Sequence, residues 1–307
     1  RGERQYNRGY GVDANLGLFG KMMLNSYLAI TESPSESRPG VAGRISAAWR
    51  DRLWNISAFA KRVDDNFNPE LGYVRRRGIN HIYGTVGAHP RVNSTIVQEL
   101  NPYSEVHFVS NLDNVLETRQ STLGFGVTFV GGSNLTFRVD DNFERIFEAF
   151  RVSGNATVEP GDYSYRAGTV SFRSSAGRPL SGRVSFSQGG FWDGTRTSAA
   201  LAMTWRADYR FTMSLSANRN QVSFPDTDFT ADVYGARLKF TPTTRIAASG
   251  FVQYNQSTDE LVTNIRFNFI HAPRSDLFVV YTERRALEAR ALLDQSVTVK
   301  LTKLLAF

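Results

Sequence analysis

SAALAMTWRADYRFTMSLSAN, residues 198–218, is the stretch whose reading decides the fold. Ala199, Leu201, Met203 and Trp205 alternate with Ser198, Ala200, Ala202 and Thr204. Arg206-Ala207-Asp208 interrupts the alternation, and Tyr209, Phe211, Met213 and Leu215 then alternate with Arg210, Thr212, Ser214 and Ser216. Successive side chains of a β-strand point to opposite faces, so a period of two is the signature of a strand with one apolar and one polar face. The stretch reads as two antiparallel strands joined by a tight turn. A soluble pair of packed sheets produces the same pattern, since each of its sheets has one wet face.

Working outward, the same pattern recurs. Val41, Ile45, Ala47 and Trp49 lead to Asp51-Arg52, and Trp54, Ile56 and Ala58 lead away. Leu123, Phe125, Val127 and Phe129 meet Gly131-Gly132-Ser133 before Leu135, Phe137 and Val139. Tyr234, Ala236, Leu238 and Phe240 reach Pro242-Thr243-Thr244, followed by Ile246, Ala248, Val252 and Tyr254. Leu261, Ile265, Phe267 and Phe269 reach Ala272-Pro273-Arg274, followed by Leu277, Val279 and Tyr281. Turn-forming residues stand at the breaks.

The connections alternate in length. Short turns are read near 19–20, 51–52, 130–133, 206–208 and 241–244, and longer polar connections near 32–39, 64–78, 142–162, 219–228 and 286–294. Short turns at one end and long loops at the other characterise outer-membrane barrels, with the short turns periplasmic. Trp49, Trp54, Phe129, Trp205, Tyr209, Phe240 and Phe269 fall on the apolar face beside short turns. They form the expected aromatic girdle, since indole and phenol rings combine an apolar body with a polar edge and settle at a membrane interface. At the C-terminus Val297, Val299, Leu301, Leu305 and Phe307 share one face of a last strand. Leu305 and Phe307 resemble the signal that barrel-insertion machinery reads, although Lys303 stands on the same face.

The expectation is thus an all-β, antiparallel up-and-down transmembrane β-barrel, one domain over 1–307, with about 17 strands visible. The first is read near 10–18. Bacterial single-chain barrels have an even strand number, so at least one further strand is expected upstream.

Composition agrees. Hydrophobic residues make up 41% of the chain and the mean hydropathy is −0.32, as expected when only every second strand residue meets lipid. No apolar run reaches the length of about 18 residues needed by a membrane helix. The sequence has no cysteine, which excludes disulfides and thiolate chemistry. A net charge of +7 comes from arginines scattered along strands rather than from a basic block, apart from Arg75-Arg76-Arg77, so nucleic acid is not the expected partner.

Several segments resemble a bacterial outer-membrane barrel family of unknown function: VDDNFNPELGYVRR at 63–76 above all, with YNRGYGVDA at 6–14, PGDY at 160–163, RSDLFVVY at 274–281 and the ending VKLTKLLAF at 299–307. Full-length members carry an N-terminal domain similar to family-nine carbohydrate-binding modules. The resemblance implies that this chain is the C-terminal part of a longer protein. It brings no catalytic residues.

Candidate sites follow from the alternation. Arg44, Lys61, Arg138, Arg183, Arg210, Arg237, Lys239, Arg266 and Lys300 are expected on the inward face, where Asp13 is the clearest acid. Closely spaced cations in a confined space favour anions; a ladder of arginines paired with acids is the alternative. The connection after Val63 offers Asp64, Asp65, Phe67, Asn68, Glu70 and Tyr73, with Phe67 and Tyr73 as sugar-stacking rings or the whole loop as a cover pairing its aspartates with inward arginines. Residues 142–148 read as a short helix, a constriction or a surface loop. Asp64-Asp65-Asn66 and Asp140-Asp141-Asn142 lack the spacing of a calcium loop, and His81, His89, His107 and His271 make no metal spacing. No metal, no cofactor and no catalytic constellation is expected, and so no enzyme. Three functions remain open: a conduit or transport-related barrel, with saccharides as one cargo; a non-conducting barrel that anchors a periplasmic carbohydrate-binding-like domain or an envelope assembly; and a soluble multi-strand β protein. The expected partners are outer-membrane lipid, the insertion machinery, and a glycan or envelope protein.

Overall fold

The computed structural model describes residues 6–34, 36–154 and 156–304. All of its regular structure is strand: β1 (Arg8–Leu18), β2 (Met22–Glu32), β3 (Gly40–Arg50), β4 (Trp54–Val63), β5 (Ile79–Ala88), β6 (Val97–Asn111), β7 (Leu116–Phe129), β8 (Asn134–Ile146), β9 (Phe150–Ser153), β10 (Ala156–Val158), β11 (Gly161–Arg173), β12 (Leu180–Phe191), β13 (Gly194–Arg206), β14 (Phe211–Ser223), β15 (Asp228–Thr243), β16 (Ile246–Asn255), β17 (Glu260–Ala272), β18 (Ser275–Ala286) and β19 (Ala291–Thr302). One 17-stranded sheet takes in all but β9 and β10, which pair with each other. No helix among the described residues is long and apolar enough to cross a membrane, a fact without bearing on a barrel, which crosses with strands.

The chain divides into two compact units. In the first, β1 to β6 pair with their sequence neighbours in antiparallel register, for example Trp49↔Ile56 and Ala47↔Ala58 between β3 and β4. In the second, β12 to β19 do the same. The hairpin at 198–218 closes as read, with Trp205↔Met213, Met203↔Leu215 and Leu201↔Ala217 on one face.

Registered partners share a face, so each unit shows a mainly apolar face and a mainly polar one, the two being most mixed around β5 and β6. The apolar face is open: Val12, Ile45, Leu123 and Val299 are between 62% and 71% exposed. A soluble sandwich buries that face against a second sheet; here it is left for an apolar solvent, which is the arrangement of a membrane barrel. Strand lengths agree. A tilted membrane strand needs about 9–11 residues to cross, and the sheet strands run from 10 residues in β4 to 16 in β15. The fold class is all-β, the antiparallel up-and-down type of transmembrane β-barrels.

Several expected loops are instead strand. β8 continues to Ile146, so most of the segment read as a short helix or loop, 142–148, extends the sheet. β14, β15, β18 and β19 likewise shorten the connections to 224–227 and 287–290, and 64–78 and 147–160 stay the long ones. At the opposite end most turns are tight, but 89–96 and 174–179 are longer than the alternation implied. Polar strand ends that project beyond the hydrocarbon lose the apolar alternation, and so they read as loop.

Candidate functional site: the polar faces and the 64–78 connection

The 64–78 connection folds onto the polar face of the first unit. Phe67 is only 7% exposed and packs with Ala42, Val63, Ile79 and Val109, with Ala29 and Val74 beside them. All five strand residues of that cluster stand on the polar-face parity. A small apolar patch at the end of a polar face thus acts as the seat for one ring. Gly40 permits the approach, because a Cβ there would lie 2.5 Å from the backbone of Asn66 and Phe67. Hydrogen bonds pin the same stretch: Asn68 N donates to Thr31 Oγ1 at 2.9 Å, and Asn7 Nδ2 to the Asn68 carbonyl at 2.7 Å.

The loop aspartates find partners other than inward arginines. Asp64, buried, accepts from Val41 N and from Arg62 Nε, each at 3.2 Å. Asp65 pairs with Arg38 at 3.2 Å. Arg77 donates to Asn68 Oδ1 at 2.7 Å, and Arg76 is held by Glu117 and Thr118. Phe67 is therefore an anchor and is withdrawn from sugar stacking, whereas Glu70 is exposed and Tyr73 is 89% exposed. The carboxylates of the second acidic stretch are also engaged: Asp140 by Thr122 and Arg138, Asp141 by Arg119 and Arg166 on the opposite face.

Below the loop, register assembles a row across β2 to β6: Tyr27, Arg44, Lys61, His81, Val109. Arg44 and Lys61 are direct cross-strand partners, and the Arg44 guanidinium lies 4.1 Å over the Phe59 ring. The next row places Phe59, Tyr83 and His107 together. His107 Nε2 lies 3.0 Å from Glu105 Oε1 and its Nδ1 lies 3.3 Å from His81 Nε2. A neutral His107 can thus donate to Glu105 and accept from His81, while Tyr83 Oη donates to Glu105 at 3.2 Å. The sequence pattern missed this cluster, since the two histidines belong to the region where apolar and polar parity are least distinct. No group of three or more ligating side chains suited to a metal is found among the described residues.

In the second unit the polar face carries a second set. Thr212, Lys239, Ser249, Arg266 and Val280 form one row; Ser214, Arg237, Phe251, Asn264 and Thr282 form the next. Arg237 lies 4.6 Å over the Phe251 ring, and Arg266 Nε donates to Asn264 Oδ1 at 2.8 Å. Arg183 faces Ala202, and Lys300 faces Phe278. Arg210 departs from the expectation: it belongs to the 207–210 turn, where its guanidinium donates to Tyr209 Oη at 2.7 Å. Turn residues have no strand parity, so the alternation does not carry through it. Arg138 remains on the polar face but is paired with Asp140 at 2.9 Å.

The aromatic candidates flank turns. Trp49 and Trp205 each sit one residue from the ends of β3 and β13, Trp54 begins β4, Phe129 ends β7, Tyr209 lies in the 207–210 turn, and Phe240 and Phe269 lie near the ends of β15 and β17. Asp51 ties two of them. Its carboxylate accepts from Trp54 N at 2.7 Å, Trp49 Nε1 at 2.9 Å and Leu53 N at 2.8 Å. Those bonds, in the order Trp54, Trp49, Leu53, lower its pKa from the usual 3.8 to about 2. Leu305 and Phe307 lie outside the described residues.

No protein-family model and no curated protein matches the sequence. Among solved structures the chain is similar to the ferric enterobactin receptor PfeA in complex with BCV-L6, with a TM-score of 0.48 at 9% identity over 97% of this chain and 70% of that one. It is also similar to a PfeA mutant from Pseudomonas aeruginosa, with a TM-score of 0.43 at 9% identity over 95% and 69%. At these values the likeness carries nothing about ligand or mechanism.

Proposed function

We propose that the chain is a non-enzymatic outer-membrane barrel that serves transport, as a conduit that prefers anionic solutes. The observation that supports this is the imbalance of charge on the polar faces. Among the described residues Arg44, Lys61, Arg183, Arg237, Lys239 and Lys300 make no ion pair, although all stand on those faces. On the same faces Glu105 is engaged by Tyr83 and His107 and Asp140 by Arg138, whereas Asp13, bonded by Asn15, and Glu260, Asp276 and Asp294 make no ion pair among the described residues and are fewer than the six cations. Cations held in a confined aqueous space raise the local concentration of anions. Saccharides fit less well than at first, because Phe67 is withdrawn; the charge of the solute is the stronger selector.

A second reading is a non-conducting barrel that anchors a carbohydrate-binding-like domain, as the resemblance at 63–76 suggests. The 64–78 connection folded onto the polar face favours it. Conductance of the purified protein in planar bilayers separates the two. Steady current with an anion-side reversal potential supports the conduit. An inserted, folded protein without current supports the anchor.

A further inference from the structure

Beneath the 64–78 connection lies a cavity of 490 Å³, wholly within the first unit. Its floor is strand: Tyr27, Lys61 and His81. Its roof is loop: Tyr73 and Arg75. Lys61 and Arg75 have no carboxylate partner among the described residues, and Arg44 stands directly opposite Lys61 with none either. Like charges directly opposite in an antiparallel pair destabilise the sheet. A protein that keeps such a pair, roofs it with a third cation and holds the roof down by a buried ring has paid for a feature that an anion relieves. Arg76, the other loop cation at this cavity, is already neutralised by Glu117. His81 is not a competing acceptor in this arrangement, since its Nε2 is directed at His107.

We propose that this cavity is a binding site for a solute bearing an oxyanion group, carboxylate or phosphate, held between Lys61 below and Arg75 above and flanked by the Tyr27 and Tyr73 rings. The volume lies within the range of small-molecule sites, roughly 300–1,000 Å³. The site does not require conduction: a closed barrel holds it equally well.

The test is calorimetric titration of the folded, detergent-solubilised chain with inorganic pyrophosphate and, separately, citrate, at low salt. Saturable binding of either is expected, and which one binds assigns the phosphate or the carboxylate class. Lys61→Gln and Arg75→Gln should each weaken it at least tenfold, and Arg183→Gln, on the other unit, should leave it unchanged. Arg75→Gln sits in the connection and spares the strand pairing, so it answers even if Lys61→Gln misfolds. A bound anion should also slow tryptic cleavage after Arg75. Absence of saturable binding by both probes overturns the site, as does equal weakening by Arg183→Gln, which is diffuse charge. Binding lost with bilayer current intact refutes the site and leaves the conduit; the reverse refutes the conduit and leaves the site.

Discussion

Replacing Phe67 by alanine should release the 64–78 connection while leaving the sheet folded. Phe67 is 7% exposed and its ring fills a seat made by Ala42, Val63, Ile79 and Val109. Removal of a buried phenylalanine costs about 3–5 kcal/mol. Area gives a similar figure, since an aromatic ring buries roughly 150–250 Å² at about 25 cal/mol per Å². Because the ring belongs to a connection and the seat belongs to strands with their own hydrogen bonds, the loss falls on docking of the loop rather than on unfolding of the barrel. About 3 kcal/mol corresponds to a shift of roughly two powers of ten in the docked-to-undocked ratio. Three consecutive arginines, Arg75 to Arg77, supply the readout. Limited trypsinolysis of the folded protein follows the population of the opened loop when opening is fast. Phe67→Ala should raise the cleavage rate there by about a hundredfold, while heat-modifiable migration on gels is kept. Cleavage at the wild-type rate would show that the loop is held by its hydrogen bonds alone and that the ring is not its anchor.

Other outcomes follow from the same contacts. Asp51 has a depressed folded pKa, so its contribution to the β3–β4 turn is present above the unfolded value near 3.8 and is lost as pH falls toward about 2. The difference in denaturation midpoint between wild type and Asp51→Ala should be visible at pH 7 and vanish between pH 4 and pH 2, and a difference that persists in acid would contradict the assigned bonds. Leu201→Arg, on the apolar face, should destabilise the inserted protein by about 2–4 kcal/mol, and Ala200→Arg, on the polar face, by far less; equal costs in a vesicle-folding titration would remove the distinction of faces. Arg237→Glu should move the reversal potential toward cations, whereas Arg210→Glu, in the turn, should move it much less; the reverse order would restore Arg210 to the polar face.

The second unit was the more legible half. From 198 to 281 most of the apolar residues hold one parity between turns, with Phe251, Phe278 and Val280 among the exceptions, and the strands pair in the order read. The half around β5 and β6 was obscure for a physical reason. Its polar face carries Ile79 and Val109, which seat Phe67, and its apolar face carries Asn80, Gly84 and Ser104. Alternation cannot be read where both faces are mixed, and so the approach of His81 to His107 stayed hidden. The composition of the 64–78 connection allows a fold-back but does not reveal its anchor: a lone phenylalanine among acids and asparagines gives no sign of which way it turns. Strand ends that leave the hydrocarbon become polar on both faces, which is why β8 and β14 ran longer than read.

A membrane-spanning sheet must meet lipid on one face and water on the other. The sequence contains no cysteine, so single cysteines can be placed without background at 198 to 203 along β13 and labelled with a polarity-sensitive fluorophore in reconstituted vesicles. Quenching by a lipid-borne quencher should be strong at 199, 201 and 203 and weak at 198, 200 and 202, with iodide giving the opposite pattern. Quenching without a period of two, or iodide access to both sets alike, would contradict the membrane-spanning sheet itself.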